Sequence, residues 1–180
     1  CTACGTSCLV GAGGLTGYTP PHLARQALLD QPCLLGEKKH VTVLFCDLVD
    51  STTLASALGP EQMHAFLSQF FECALAEIHR YEGTVNQFLG DGFMAIFGAP
   101  ASFEDHAARA GLAALSIRDT MVARRAVGGP GWSRARVRIG LNSGEVVVGA
   151  IGDDLRRDYT AAGDTTHLAA RLQGLAPLAG

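Results

Sequence analysis

Apolar and polar positions fall into two distinct periods along residues 41–97. Residues 41–46 (VTVLFC) form an almost unbroken apolar run, short enough for a buried strand, which ends at Asp47 and gives way to the turn-forming set Asp50, Ser51, Thr52 and Thr53. Residues 60–80 then switch to helical spacing, with Met63, Phe66, Leu67, Phe70, Phe71, Ala74, Leu75 and Ile78 on one broad stripe. Residues 83–97 (GTVNQFLGDGFMAIF) return to strand character in two runs separated by Leu89-Gly90-Asp91-Gly92, a tight-turn sequence.

Strand, helix, strand, turn, strand is the order of a split βαβ unit. The predicted fold class is therefore α/β of the α+β kind, a ferredoxin-like sheet with helices on one face. In that arrangement the first two strands are parallel and the third inserts between them, antiparallel to both. The turn carrying Asp91 then comes to the carboxyl end of the first strand, beside Asp47. Two carboxylates brought that close either share a proton or hold a divalent cation. The Ser/Thr-rich turn favours the cation. A short helix opening at Ser51 and Thr52 and running to Leu58 offers unpaired N–H groups to phosphate oxygens. Hard oxygen ligands beside a phosphate cradle point to a nucleoside triphosphate with Mg2+ or Mn2+.

Further along, residues 103–127 read as a second long helix opened by Ser102, with Glu104 and Asp105 in its first turn and Ala107, Ala110, Ala114, Ile117 and Met121 on its core face. His106 reads as a surface or capping histidine. Trp132, beside the Gly/Pro loop 128–131, is expected to cover the sheet. Residues 136–152 (RVRIGLNSGEVVVGAIG) suggest a hairpin turning at Asn142-Ser143-Gly144, with Gly144 and Gly149 permitting close backbone approach. Residues 153–158 (DDLRRD) read as a charged loop. Gly163 and Asp164 open a last helix, on which His167 and Arg171 stand four apart and so share a face. A forked guanidinium there suits a phosphate.

Composition narrows the function class. The chain has 180 residues, 48% of them hydrophobic, and a net charge of −3, which leaves no electrostatic footprint for nucleic acid. No apolar run reaches the roughly 18 residues a membrane span needs. Of the six cysteines, Cys46 and Cys73 fall in apolar strand and helix, a usage that suits the reducing cytoplasm. Residues 1–39 read as a Cys/Gly-rich tail and linker, and residues 40–180 as the main domain. In the tail Cys1 and Cys4 resemble one knuckle of a zinc ribbon, whose other half would lie upstream; a flexible tail is the plainer alternative. Residues 31–39 read as linker.

Four blocks, VTVLFCDLVDST, VNQFLGDGFMAIFG, VRIGLNSGEVVVGAIG and RRDYTAAGDTTHLAARL, occur in the order of the class III nucleotidyl cyclases, the adenylyl and guanylyl cyclase catalytic domains. The chain resembles that family from about Val41 to Leu172, in the form found in multidomain bacterial signalling proteins. The resemblance implies that Asp47 and Asp91 hold two divalent cations per site, Mg2+ or Mn2+. It further implies that the ribose 3′-hydroxyl attacks the α-phosphorus, that Arg171 stabilises the transition state across a homodimer interface, and that residues 153–158 form an arm at that interface. Three positions depart from the family pattern. Gln87 stands where adenylyl cyclases usually carry a base-reading Lys, Thr160 where many carry Asp, and His167 where an Asn usually orients the ribose. Gln87 and Thr160 each donate and accept, so both can still pair with adenine, and ATP is expected over GTP. The expected function is conversion of ATP to 3′,5′-cyclic AMP and pyrophosphate. The alternative, prompted by Gln87 and His167, is a cyclase-like domain that senses nucleotide with little or no turnover. Gly90-Asp91-Gly92-Phe93 is not the GG[DE]EF signature of diguanylate cyclases, which ranks that class low.

Overall fold

The computed structural model describes residues 37–151 and 158–177. The first strand, β1 (Glu37–Leu48), is longer than its apolar run. Residues 37–39, read as linker, already pair with Val146, Val147 and Val148 of the neighbouring strand. A polar segment can extend a strand at its end because the ladder bonds are main-chain bonds. The readings of Cys1, Cys4 and the remaining tail lie outside the described residues.

After β1 come α1 (Ser51–Leu58), α2 (Pro60–Arg80), β2 (Thr84–Leu89) and β3 (Gly92–Phe97). These are followed by α3 (His106–Val127), a single 3₁₀ turn (Trp132–Arg134), β4 (Val137–Ile151), β5 (Asp158–Ala162) and α4 (Asp164–Leu175). The five strands form one sheet in the order β2-β3-β1-β4-β5. As the split βαβ pattern predicts, β3 lies between β2 and β1, antiparallel to both.

The sheet has two different faces. Leu44, Cys46 and Leu48 of β1 join Phe93, Ala95 and Phe97 of β3 under α2 and α3. The α2 stripe is as expected: Met63, Phe66, Phe70, Ala74 and Ile78 are buried. Trp132 is also fully buried in this layer. Its ring meets Phe66 edge-on at 5.2 Å, and its Nε1–H donates to Gln69 Oε1 at 3.1 Å. Val41, Val43, Met94, Ile96 and Val146 form a smaller cluster on the opposite face, closed by Ala169 of α4. The helices predicted for one face are thus α2 and α3, and α4 adds cover on the other.

Two local expectations give way. No turn forms at Asn142-Ser143-Gly144, because β4 runs unbroken through them, paired with β1 from Leu48↔Val137 to Glu37↔Val148. The long partner strand outweighs the local turn signal, and Asn142 Nδ2 instead donates to Thr165 O at 3.1 Å. The antiparallel partner that follows β4 is β5; the connection, residues 152–157, lies outside the described residues. The second helix, α3, starts at His106 rather than near Ser102, and its buried line is His106, Ala110, Ala113, Ile117 and Met121. Ala107 is exposed and Ala114 half-buried. The stripe is rotated because His106 points inward and is anchored there by Thr42. Among the described residues no helix is long and apolar enough to cross a membrane.

Candidate active site

Asp47 is the next-to-last residue of β1, and Gly92, the first residue of β3, is its cross-strand partner. Asp91 precedes Gly92 in the turn after β2, where Gly90 takes the left-handed φ of 71° that the tight reversal needs. The sheet order therefore brings Asp47 and Asp91 to one end of the sheet. Their proximity is electrostatically visible. Partial burial, then the Asp91 charge, pushes the Asp47 carboxyl above the usual carboxylate range. The Leu48 backbone N–H and the Arg138 guanidinium act in the opposite sense.

Arg138 is a site residue that the sequence reading missed. It stands on β4 directly across from Asp47, on the side away from Gly92. It is half-buried, and its Nε is buried with no hydrogen-bond acceptor among the described residues. An unpaired buried donor on a cation costs free energy unless an anion supplies the missing acceptor. An arginine between the apolar Val137 and Ile139 of a predicted strand was the available signal.

Alternation places other residues on the same face. Cross-strand partners share a face, so Arg138 and Asp47 lie together, and Asp47 shares its side with Val43 and Val41 of the smaller cluster. Gln87 joins them through a register shift. The ladder of β2 and β3 steps from Val85↔Ala95 to Gln87↔Met94, so Asn86 is an extra residue in a β-bulge. Phe88 then packs toward the helices, edge-on to Phe71 at 5.0 Å. Gln87 is left exposed across from Met94, on the Asp47 side.

Ser51 and Thr52 are the first two residues of α1, with Asp50 at the N-cap in left-handed conformation (φ 53°) and no side-chain cap bond. The first backbone bond of this helix runs from Leu54 N–H to Asp50 C=O at 3.0 Å. The N–H groups of Ser51, Thr52 and Thr53 precede it and have no acceptor within the helix.

His167 and Arg171 are both exposed, one turn apart on α4. This helix is seated closely on β4. A Cβ on Gly140 would collide with Gln173 N and Ala169 O, and one on Gly144 would lie 2.6 Å from Thr165 Oγ1. Thr165 Oγ1 also donates to Glu145 O at 2.8 Å. Within one chain the structure brings together Asp47, Asp91 and Arg138, while Arg171 stands exposed on α4. Thr160 pairs with Gly149 in the β4–β5 ladder, and its side chain lies outside what is described.

The donor set suits a hard divalent cation. Two adjacent carboxylates, one of them pushed up by the other, gain from a positive charge between them. Among the described residues no group of three His, Cys, Asp or Glu side chains gathers. An all-protein cage is thus not formed, and two carboxylates plus phosphate oxygens and water is the arrangement Mg2+ commonly takes.

Residues 35–178 match the family described as the adenylate and guanylate cyclase catalytic domain. Adenylate cyclase 1 of Rhizobium meliloti is 36% identical over 142 residues, covering 77% of this chain and 21% of that protein. The chain thus spans about a fifth of the length of that curated relative. Among solved structures, the guanylyl cyclase Cya2 superposes with a TM-score of 0.73 at 32% identity, covering 79% of this chain and 73% of that one. The adenylyl cyclase CyaB from P. aeruginosa also superposes with a TM-score of 0.73, at 30% identity over 81% of this chain and 76% of its own. The chain belongs to the adenylate and guanylate cyclase catalytic-domain family, the class III nucleotidyl cyclases.

Proposed function

We propose that this domain converts ATP to 3′,5′-cyclic AMP and pyrophosphate, in sites shared between two copies of the chain, as the catalytic part of a cytoplasmic signalling protein. The observation that carries the reading is the Asp47–Asp91 pair at adjoining strand ends, with Arg138 beside it. In this reading Asp47 and Asp91 hold Mg2+ or Mn2+, two ions per site. When bound, the ions stabilise the attacking 3′-oxygen and neutralise charge on the leaving pyrophosphate.

The chain's own residues do the rest. The open N–H groups at Ser51, Thr52 and Thr53 receive phosphate oxygens. Arg138 supplies a fixed positive charge and an unsatisfied donor on the same side as the carboxylates. Gln87 meets the base edge, and its amide both donates to adenine N1 and accepts from the N6 amino group. His167 orients the ribose, and Thr160 supports base recognition. Arg171 reaches the phosphates of the site on the other copy, which accounts for an arginine that is exposed on its own chain. A two-fold pair of chains then contains two composite sites. ATP is preferred to GTP in this proposal because neither Gln87 nor Thr160 supplies the carboxylate that guanine N1–H and N2–H would favour.

The test is product analysis by mass after incubating the protein with ATP or GTP and Mn2+. Cyclic AMP, formed faster than cyclic GMP and absent with Asp91→Ala, is expected. Cyclic nucleotide no more abundant than in that control overturns the proposal, and faster cyclic GMP formation overturns its substrate.

A further inference from the structure

Far along β1 from Asp47, a second polar cluster spans three elements. His106, the first residue of α3, is buried, with 8% of its surface exposed. Its Nε2 lies 3.2 Å from Nδ1 of His40 on β1, and the two rings are tilted with centroids 5.3 Å apart. Its Nδ1 lies 2.7 Å from Thr42 Oγ1, which in turn lies 2.7 Å from Ser143 Oγ on β4. The chain His40–His106–Thr42–Ser143 ties the start of α3 to the first half of β1 and to β4.

We propose that the His40–His106 pair is an acid-sensitive latch that fastens the start of α3 to β1 and releases it once both rings are protonated. The hydrogen-bond count makes the argument. Two imidazoles sharing one bond need an N–H on one ring and a lone pair on the other. With no extra proton, or with one, that condition is met. A cationic His40 donates to His106 Nε2, while His106 Nδ1–H donates to Thr42 Oγ1. A second proton puts two N–H groups and two positive charges face to face at 3.2 Å, and the bond cannot survive.

Surrounding groups do little to offset that repulsion. On β1, Lys39 directs its Nζ to Pro100 O at 3.0 Å. On β4, Glu145 is the cross-strand partner of His40 and is exposed. On α3, Asp105 favours a proton on His106, but its carboxylate is held by Arg109 Nε at 2.7 Å, and Arg109 also reaches Glu82 at 3.7 Å. The loop at residues 98–101, packed against the pair through Gly98, carries no charged side chain. Burial first, then His40, lowers the His106 pKa below its ordinary value. A histidine depressed in the folded state contributes stability that is whole above its unfolded pKa near 6.5. That contribution is lost as pH falls from there toward the folded value.

The experiment is amide hydrogen exchange on the full chain between about pH 7.5 and pH 5, corrected for intrinsic rates, with the two imidazoles followed by NMR. Acidification is expected to speed exchange in the first turns of α3 by about tenfold or more while α2 stays protected. His40→Gln, which cannot gain the second charge, is expected to shrink that acid response to what the burial of His106 alone produces, and so is His40→Phe, which keeps a ring without nitrogen. Unchanged protection at the start of α3 while both rings titrate overturns the proposal, as does an acid response in both variants as large as the parent's.

Discussion

Gly92 and Asp47 face each other across the β1–β3 ladder so closely that a methyl group on Gly92 would lie 2.7 Å from Asp47 Oδ1 and 2.6 Å from Cys46 O. The absence of a side chain at position 92 therefore gives the Asp47 carboxylate its position. Gly92→Ala must move that carboxylate or part the strands. Activity is expected to fall at least about tenfold, since displacement of reacting groups by about 1 Å is costly. Thermal unfolding should shift down as well, because position 92 is itself buried and the Cys46 carbonyl belongs to the main chain. Full activity in Gly92→Ala, measured as cyclic nucleotide formed per unit time, would show that Asp47 need not sit where the strand pairing holds it.

The raised Asp47 pKa predicts a conflict between stability and function. Its charge is resisted by partial burial and by Asp91. Asp47→Asn removes the resisted charge and keeps the shape. Without divalent ions the variant should melt higher than the parent. A gain of about 1 kcal/mol would appear as roughly 2–4 °C in a chain of this size. Adding Mn2+ should stabilise the parent and leave the variant almost unmoved. A variant less stable than the parent without metal would contradict the strained-carboxylate account.

Arg138 yields a prediction about binding. Its Nε has no acceptor among the described residues, and its charge acts on Asp47. If an incoming phosphate supplies the acceptor, Arg138→Met loses one charge-assisted hydrogen bond. Such a bond is worth about 1.5–3 kcal/mol, or roughly 10–150-fold in affinity. Calorimetry with a non-cyclisable ATP analogue and Mn2+ measures the loss directly. Unchanged affinity would leave Arg138 a structural partner of Asp47 only.

The fold was legible where the chain states its own periodicity. The α2 stripe and the turn at Gly90–Asp91 are local, and the split βαβ order then forces Asp47 toward Asp91. Features that depend on distant partners were not legible. His106 lies 64 and 66 positions from Thr42 and His40, so nothing near it in sequence announces its burial. Arg138 acquires meaning only when β4 pairs with β1. Asn142-Ser143-Gly144 carries a true local turn signal, but the twelve cross-strand pairs with β1 hold it straight. Gln87 reaches the Asp47 side only because Asn86 is accommodated as a bulge, which no simple alternation predicts.

Arg171 provides the sharpest test of the shared site. It is exposed on α4, whereas Asp91 and Arg138 act on Asp47 within the same chain. If each site takes its aspartates from one chain and its arginine from the other, Asp47→Ala and Arg171→Ala disable different halves. Each variant alone should be inactive, because both of its sites lack one essential group. An equal mixture that exchanges subunits gives mixed dimers in about half of all pairs, each with one intact site and one doubly damaged site. The mixture should therefore recover about a quarter of the parent activity, and the recovery should vanish when subunit exchange is blocked by cross-linking each variant beforehand. A mixture as inactive as its components would mean that both groups act within one chain, and α4 would then have to move before Arg171 could meet the phosphates.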